Sequence, residues 1–536
     1  MLLVIVVVAR LYFSTISKSS RYIEKSLKSI PADASIIFEF TNDQGFYEIF
    51  SSYTVFDDII GEAKKEELRF IKNQLSNNPK FARITEAQNL YLSIHHEGAD
   101  SISFLWIMPL KENLTMGDYF TLLKDTDSTL YEVNKQNKGI SVKVISKKNN
   151  SIFYLDISDG VAKGSYSKSL LQSCLDTKKP KISKEFLSRL TASYLKNDNS
   201  PLNVFLNLNA GGTFINSLYK SRDTRGFFTN YSANGFASLN MNYKSDALVF
   251  SGLVNPDTTK TMYQNIFLHQ KPVVHTIERI VPENTSNFTA YGLSDYKIFR
   301  KDVRGLLNKE SHLNQIKEVF KKITQETGID LDTETNGIWS NEFISLQLST
   351  QEQLGCIKLT NGEKLTNVFE PLSSQYSPSI RKLNYPDILY GYFGQPFKSY
   401  IKPYYTVIDN YLIFSNSAGS VQRFLTNYNT DRVLFKTSSY IQFSKSVADM
   451  SKMFVFIHNY NSKSYYKTDF KEPIYDLLNK SNNVGLNKFY GFSCQLTSNS
   501  TYFFTNIFSE YRQNFTLQED EKQVGDTIKS VADIQE

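Results

Sequence analysis

Three short segments carry the residue types that serine acyl-transfer enzymes use, in the chain order that those enzymes show. The segments are Ser165-Tyr-Ser-Lys168, Ser294-Asp-Tyr296 and Lys436-Thr-Ser438. In that chemistry the serine begins a long helix, so that a lysine one turn later can act as its base. Here Ser165 is predicted to end a strand, and the similar segment that begins at Ser415 has Ala418 where the lysine stands. We therefore predict that these residues do not form a nucleophilic site.

Two further groups contain residue types that bind metal ions. His95 and His96 are adjacent at the end of a strand-like segment, and neighbours on a strand point to opposite faces, so they cannot easily share one ion. Residues 330–337 alternate carboxylates as a calcium loop does, but the glycine falls one place late and Asn341 occupies the position that requires a glutamate. Both groups are therefore predicted to have structural or surface roles.

Composition and charge exclude several classes of protein. The 536 residues are 41% hydrophobic and 21% charged, which is atypical of a disordered chain and of a multi-span membrane protein. The formal net charge of +6 is too dilute for nucleic-acid binding. Cys174, Cys356 and Cys494 are too few and too scattered for a disulfide framework or a thiolate zinc site. We predict no catalytic, cofactor-binding or metal-binding residues, no cofactor and no nucleic-acid partner.

The sequence also lacks the short motifs that mark common binding sites. It has no phosphate-binding glycine loop, no GxGxxG after a strand, no HExxH helix and no CxxC pair. A lysine cluster is predicted to be a solvated loop, with a contact to an anion as the alternative. Its members are Lys178, Lys179, Lys181 and Lys184.

The elements that would position these residues include two hairpins, each followed by a helix. Asp159-Gly160 and Asp409-Asn410 are predicted two-residue turns, because Gly and Asn tolerate the positive φ that such turns require. Ser167 and Ser417 follow the second strand of each hairpin and are predicted helix N-caps. A longer helix is predicted over the apolar periodicity from Leu313 to Ile323, ended by Gly328. Its predicted counterpart carries Leu68, Ile71 and Leu75.

These segments belong to a longer internal repeat. The matched segments are Ile30-Pro31-Ala-Asp-Ala-Ser35 with Val281-Pro282-Glu-Asn-Thr-Ser286, residues 151–175 with 401–425, and Gly235-Phe236 with Gly491-Phe492. They occur in the same order and at a nearly constant offset, which is typical of a duplication. We predict an α+β fold of two tandem copies, residues 30–276 and 277–511, each a mostly antiparallel sheet domain with short packing helices. The polar, acidic tail 512–536 is predicted to be disordered.

The N-terminus holds a short apolar run, residues 1–9. A spanning helix needs roughly 20 apolar residues, and a secretory signal needs a basic segment before its apolar core. We predict that residues 1–29 are a membrane anchor whose true start lies upstream, followed by a basic linker. A buried strand and a cleaved signal are the alternatives, and the basic residues from Lys18 to Lys28 argue against export if Met1 is the real start.

Several of these features together resemble a known group of proteins. They are the proline-containing start before a strand, the Asp-Gly hairpin that leads to a short helix, Thr327-Gly-Ile-Asp330 before Trp339-Ser-Asn-Glu342, and the Gly-Phe strand near the end of each repeat. In these features the chain resembles membrane-anchored envelope proteins of unknown function that are common in Bacteroidota. The resemblance implies a single N-terminal anchor and an exported body, and it brings no catalytic residues.

The sequence therefore predicts a non-catalytic cell-envelope protein that acts as a binding or scaffolding module. It would be tethered to the inner membrane through its N-terminal segment, with its body in the periplasm and with another envelope protein or a lipid as its partner. One alternative is an envelope carrier or chaperone for lipid or outer-membrane cargo. Another is an envelope hydrolase.

Overall fold

The structure is a computed structural model. It describes residues 25–41, 84–85, 88–97, 101–110, 117–118, 121, 131–135, 142–146, 151–191, 200–210, 218–220, 234–244, 246–472, 475–476, 488–498 and 501–512. The chain divides into two compact units: residues 1–219 with 235–242, and residues 220–234 with 243–536. The prediction of an α+β fold dominated by antiparallel sheet is confirmed.

The first unit is built on an antiparallel sheet. Its strands are β1 Ile36–Thr41, β2 Asn89–Glu97, β3 Ser101–Pro109, β4 Tyr131–Lys135, β5 Val142–Ser146, β6 Ile152–Ser158, β7 Val161–Ser165, β8 Asn203–Asn207 and β9 Gly235–Lys244. They are hydrogen-bonded in the order β9-β8-β1-β2-β3-β7-β6-β5-β4, and each of these pairs is antiparallel.

Two helices of the first unit pack against this sheet. They are α1 Lys168–Leu175 and α2 Lys184–Thr191. Leu171 of α1 and Phe186 of α2 join Ile37, Ile107 and Phe205 of the strands in a buried apolar cluster. Burial of these large apolar side chains contributes favourable free energy that holds the helices on the sheet.

The second unit contains a longer antiparallel sheet. Its strands are β10 Ala247–Pro256, β12 Thr285–Gly292, β13 Trp339–Leu348, β14 Gln353–Leu359, β15 Ser373–Ser377, β16 Ile380–Leu383, β17 Tyr404–Ile408, β18 Tyr411–Ser415, β20 Met453–His458, β21 Phe489–Ser498 and β22 Phe503–Tyr511. The order is β10-β22-β21-β20-β12-β13-β14-β18-β17-β16-β15, again with antiparallel pairs. A separate short sheet pairs β11 Val273–Val274 with β19 Met450–Ser451.

Helices cover both faces of the second sheet. They are α3 Tyr296–Lys309, α4 Leu313–Thr327, α5 Leu331–Glu334, α6 Gly362–Phe369, α7 Ile388–Phe393, α8 Ala418–Asn429, α9 Ser438–Ser444 and α10 Lys463–Asp469, with 3₁₀ turns at Tyr263–His269, Ile277–Ile280, Gln395–Phe397 and Leu434–Lys436. Successive strand residues point to opposite faces. Phe343 accordingly packs with Phe299 of α3 and Phe393 of α7, whereas Ile344 packs in a second cluster with Phe424 of α8 and Phe443 of α9.

The predicted turns are present, and both predicted serines occupy helix N-cap positions, although only one of them makes the capping hydrogen bond. Asp159-Gly160 joins β6 to β7 and Asp409-Asn410 joins β17 to β18. In both turns the aspartate has a positive φ, 55° and 49°. Gly160 also has a positive φ, 73°, as predicted, whereas Asn410 is not among the residues with positive φ. Ser167 caps α1 by accepting from the backbone N–H of Leu170 at 3.1 Å, whereas Ser417 precedes α8 without a side-chain cap hydrogen bond. Helix α4 ends at Gly328, which has a φ of 76°.

Some predictions fall wholly or partly outside the described residues. They include the apolar run of the anchor, the helix expected around residues 68–75, and all of the acidic tail except Arg512. The repeat boundaries at 30–276 and 277–511 stay predictions. Within the described ranges, no helix has both the length and the apolar character needed to cross a membrane.

Candidate functional site: a basic cleft in the second unit

Helix α3 supplies most of the basic side chains of the candidate site. Asp295 caps this helix by accepting from the backbone N–H groups of Lys297 and Ile298, at 2.8 and 3.0 Å. One stripe of the helix is buried: Phe299, Val303, Leu306 and Leu307. A second stripe, with i, i+3, i+4 and i+7 spacing, is basic: Lys297, Arg300, Lys301 and Arg304. Since the apolar stripe is held in the core, the basic stripe is directed away from it.

Helices α4 and α5 form the opposite side of the site. Helix α4 buries Ile316 and Ile323, and its Lys317 and Lys321 lie four residues apart on a stripe that lines the same cavity as Arg300. After Gly328 the chain turns into α5, which Asp330 caps by accepting from the Thr333 backbone N–H at 3.1 Å. This short helix places Asp332 opposite α3.

Two adjoining cavities lie between these helices, and we call them together the basic cleft. The first has a volume of about 430 Å³ and the second about 380 Å³. They share Arg300, Arg304 and Asp332. The charged residues that line them are Lys297, Arg300, Lys301, Arg304, Lys317, Lys321, Asp330 and Asp332. Six bases against two acids make the cleft locally positive, in a chain whose overall charge is dilute.

Asp332 links the two arginines of the cleft. Arg300 Nη2 lies 3.2 Å from one oxygen of this carboxylate, and Arg304 donates to the other. Arg300 also donates to the Gly391 carbonyl and stacks over the Tyr392 ring, 4.4 Å from its centroid. Its side chain is 12% exposed, against 47% for Arg304 and 44% for Asp332. Arg300 is therefore the fixed member of the group, and the other two side chains face solvent.

Two aromatic residues that line the second cavity have buried polar atoms without a hydrogen-bond partner. They are the hydroxyl oxygen of Tyr296 and the indole Nε1 of Trp339. Burial raises the pKa of the Tyr296 hydroxyl well above its usual range, although Arg300 opposes this shift. The hydroxyl therefore keeps its proton, and the indole N–H can only donate. An unpaired buried donor costs about 1–3 kcal/mol, so both groups would gain from a ligand that carries acceptor atoms.

Two acids of residues 330–337, whose alternating carboxylates resemble a calcium loop but which are predicted to have a structural or surface role, line this cleft. Asp330 acts as a helix cap and Asp332 as the partner of Arg300 and Arg304. Among the described residues, no group of three or more His, Cys, Asp or Glu side chains could hold a metal ion. The three cysteines are unpaired, and burial raises the pKa of Cys494 to about 12.

Two serines of the serine-enzyme pattern, Ser165 and Ser294, have local structural contacts. Ser165 donates to the Phe104 carbonyl at 2.7 Å and accepts from the Ser167 backbone N–H at 3.0 Å. Lys168 is exposed in the first turn of α1. Ser294 accepts from the Lys271 backbone N–H at 2.8 Å. Among the predicted loop lysines, Lys181 donates to the last carbonyls of α1, at Ser173 and Cys174, whereas Lys178 and Lys179 are exposed.

His95 belongs to a serine–histidine–aspartate group that sequence reasoning missed. Ser93 Oγ lies 2.8 Å from His95 Nε2, and His95 Nδ1 lies 3.0 Å from Asp33 Oδ1. This is the order of contacts in a nucleophilic triad. Ser93 is, however, only 1% exposed, and its single hydroxyl proton has a second acceptor within reach, the Leu105 carbonyl at 3.4 Å. Unlike Tyr296 and Trp339, Ser93 lines neither cavity of the basic cleft. We therefore assign this group the structural role of fastening β2 to the start of the first unit.

The second unit has a similar group of different residues. Ser451 Oγ lies 2.9 Å from His275 Nε2, and His275 Nδ1 lies 3.8 Å from Glu342. Burial lowers the pKa of the His275 imidazole. Burial alone would raise the pKa of Glu342, but hydrogen bonds from Thr276, Ile277 and Lys358 lower it below its usual value. Because Ser451 is 0% exposed, we assign this group a structural role as well.

The basic stripe of α3 was also missed, although the sequence contains its signal. Lys297, Arg300, Lys301 and Arg304 alternate with apolar residues at helical spacing, as an amphipathic helix does. What the sequence could not show is that Asp332 and the two unpaired aromatic donors lie at the same cleft.

Comparison with known proteins adds little. No protein-family model matches the chain, and no curated protein matches it. Among solved structures the chain is similar to one described as "Structure of crystal form III of TP0453", with a TM-score of 0.25 and 12% identity, over 47% of this chain and 88% of that one. A TM-score of this size supports no conclusion about fold or function.

Proposed function

We propose that the chain is a non-catalytic, membrane-tethered protein of the cell envelope that acts as a binding or scaffolding module, and that the basic cleft is its binding site. The observation that carries this proposal is the cleft itself, which combines positive charge with two buried donors that lack partners. A site of this kind is suited to holding an anionic group. The anchor would lie in residues 1–29 and the body in the periplasm.

The absence of catalysis is supported by where the nucleophile candidates lie. The hydroxyls of Ser93 and Ser451 have histidine partners but are buried. Burial of the Cys174 and Cys356 thiols raises their pKa, which disfavours the reactive thiolate. The cleft itself is lined by cations, carboxylates and aromatic rings and by no serine or cysteine of the described residues.

We also propose that the body arose by duplication of one α+β domain. The strand order of the first unit matches that of the second when β9 is aligned with β21 and β4 with β15. Pro31 forms an isolated bridge with Lys181, and Pro282 forms one with Val433. These contacts recur at nearly the same offset as the sequence matches, which is the pattern that two copies of one fold would leave.

The serines that end the two hairpins, Ser165 and Ser415, also support the duplication, because their hydrogen bonds are equivalent. Ser165 donates to the Phe104 carbonyl at 2.7 Å, and Ser415 donates to the Gln353 carbonyl at 2.7 Å. Each serine also accepts from the backbone N–H two residues later, at 3.0 and 3.4 Å.

Affinity purification from membranes tests the binding proposal. The tagged chain, a cleft variant Lys297→Glu/Arg304→Glu, and a control variant Lys309→Glu/Lys402→Glu would be purified in parallel. Both variants change the net charge equally, but the control residues do not line the cleft. We expect a partner that co-purifies with the native chain and the control but is lost from the cleft variant. Equal recovery with all three chains would contradict binding at the cleft.

A further inference from the structure

We propose that Arg300 and Arg304 form an anion-binding site that the Asp332 carboxylate occupies in the absence of ligand. The ligand of this site is a phosphate monoester, which displaces the carboxylate. The proposal rests on the proposed function, because it names the ligand class of the same cleft. Its starting point is the carboxylate bridge, in which Arg300 and Arg304 each pair with a different oxygen of Asp332. Two guanidinium groups that converge on one anion form a ready site for another anion of similar size.

The group is built so that the carboxylate can leave while the site stays in place. Arg300 is held by the Gly391 carbonyl and by the Tyr392 ring, independently of Asp332. Asp332 is 44% exposed and lies on a helix of only four residues. A half-exposed ion pair contributes little stability, so a competing anion has a small energy to overcome.

The unpaired donors favour phosphate over a carboxylate. Asp332 has two oxygens, and both are used by the arginines, while Tyr296 and Trp339 remain without acceptors in the adjoining cavity. A phosphate monoester offers three terminal oxygens and a charge between −1 and −2 at neutral pH. Its extra oxygen can accept from a group that a carboxylate leaves unpaired. The aromatic rings of Tyr296, Trp339 and Tyr392 line the same cavity and could contact the organic part of the ester.

The fluorescence of Trp339 offers a direct test in the full chain. The chain has two tryptophans, so a Trp106→Phe background leaves Trp339 as the single reporter. Phenyl phosphate would be titrated at low ionic strength, with benzoate as the carboxylate comparison. We expect saturable binding of phenyl phosphate that changes Trp339 emission, and weaker binding of benzoate. Equal affinities for the two compounds would overturn the assignment to phosphate.

Removing the Asp332 carboxylate tests whether it competes with the ligand for the two arginines. Asp332→Asn should tighten phenyl phosphate binding by at least about fivefold, because the site is then no longer partly filled. Glu334→Gln removes the same charge from the same helix but lies outside the cleft lining, and it should change affinity by less than about twofold. Equal tightening by both variants would show a general charge effect and would overturn the claim.

Vesicles distinguish a soluble ester from a lipid headgroup. Vesicles with phosphatidic acid, which carries a phosphate monoester, would be compared with vesicles of phosphatidylcholine alone. Binding to phosphatidic acid that Arg304→Gln abolishes would assign the ligand to the membrane, and phenyl phosphate binding without vesicle binding would assign it to solution. Both results support the phosphate proposal. If neither probe binds to the native chain or to Asp332→Asn, the phosphate proposal fails, while the co-purification test above still decides whether the cleft binds another partner.

Discussion

At the scale of single residues, Glu278 connects protonation to the stability of the second unit. Burial raises the pKa of its carboxyl group to about 7, against a hydrogen bond from the Tyr440 hydroxyl that lowers it. Nearby Glu342 and Asp449 raise the pKa further and Arg279 lowers it. The folded state therefore binds a proton near neutral pH that the unfolded state has already released. The stability from this group is fully present below the unfolded pKa and is lost as pH rises through 7.

Glu278→Gln is expected to remove this loss. The variant should be more stable than the native chain at pH 8, by about 1–3 kcal/mol, with a smaller difference at pH 5. Urea denaturation followed by Trp339 fluorescence in a Trp106→Phe background measures the second unit. Glu318→Gln, at an exposed position on α4, is the control. A stability difference that does not change with pH would show that Glu278 does not titrate as described.

His95 and Lys168 form a contrasting pair in the first unit. His95 is buried between Ser93 and Asp33, so His95→Ala removes two hydrogen bonds and should cost about 1–3 kcal/mol. Lys168 is exposed, and Lys168→Ala should stay within about 0.5 kcal/mol. Trp106 fluorescence in a Trp339→Phe background reports on this unit during urea denaturation. Equal effects of the two substitutions would contradict the buried network.

The roles of these residues differ in how far the sequence could predict them. A structural role for His95 follows from its place on a strand, but its acid partner lies 62 residues away and depends on the tertiary fold. The spacing of carboxylates at 330–337 departs from the pattern that calcium binding requires, and the expectation that this loop binds no calcium stays a prediction. The partnership of Asp332 with Arg300 and Arg304 depends on helix packing, which no local spacing encodes.

At the scale of elements, two glycines differ in the space around them. Gly305 lies inside α3, and a Cβ atom there would meet nothing within 4 Å. Gly362 begins α6, and a Cβ atom there would lie 2.2 Å from the Asp409 carbonyl oxygen in the β17–β18 turn. Gly305 affects stability only through its low helix propensity. Gly362 is required because it allows the start of α6 to approach the hairpin closely.

Alanine at these two positions should therefore have opposite effects. Gly305→Ala is expected to stabilise the second unit by about 0.5–1 kcal/mol through helix propensity. Gly362→Ala is expected to destabilise it by about 1–3 kcal/mol, because backbone must move to relieve the clash. Urea denaturation monitored at Trp339 gives both values. Destabilisation by Gly305→Ala would mean that the exposed face of α3 has contacts that the structure does not show.

Local elements could be predicted where turn and cap residues act over short distances. The Asp159-Gly160 and Asp409-Asn410 turns and the Gly328 helix end are of this kind. The strand order could not be predicted, because pairs such as β1 with β8 join distant parts of the chain. The basic cleft depends on that order as well as on helix periodicity, which explains why its residues were missed.

At the scale of the whole molecule, the proposed location makes a topological prediction. The tagged chain should fractionate with the inner membrane, and protease added to spheroplasts should digest the body. A cytoplasmic marker must survive the same treatment. If the protease digests the body only after the spheroplasts are lysed, the proposed periplasmic location is wrong. That result would leave the proposal of binding at the cleft untouched.

The central claim is that the protein works by binding at the basic cleft and not by catalysis, and complementation tests it most directly. Cells that lack the native chain would receive Lys297→Glu/Arg304→Glu, the control Lys309→Glu/Lys402→Glu, or Ser93→Ala/Ser451→Ala, with abundance and tryptophan fluorescence matched to the native chain. We predict that the control and the serine variant restore function and that the cleft variant does not. Restored function with the cleft variant and lost function with the serine variant would contradict this account.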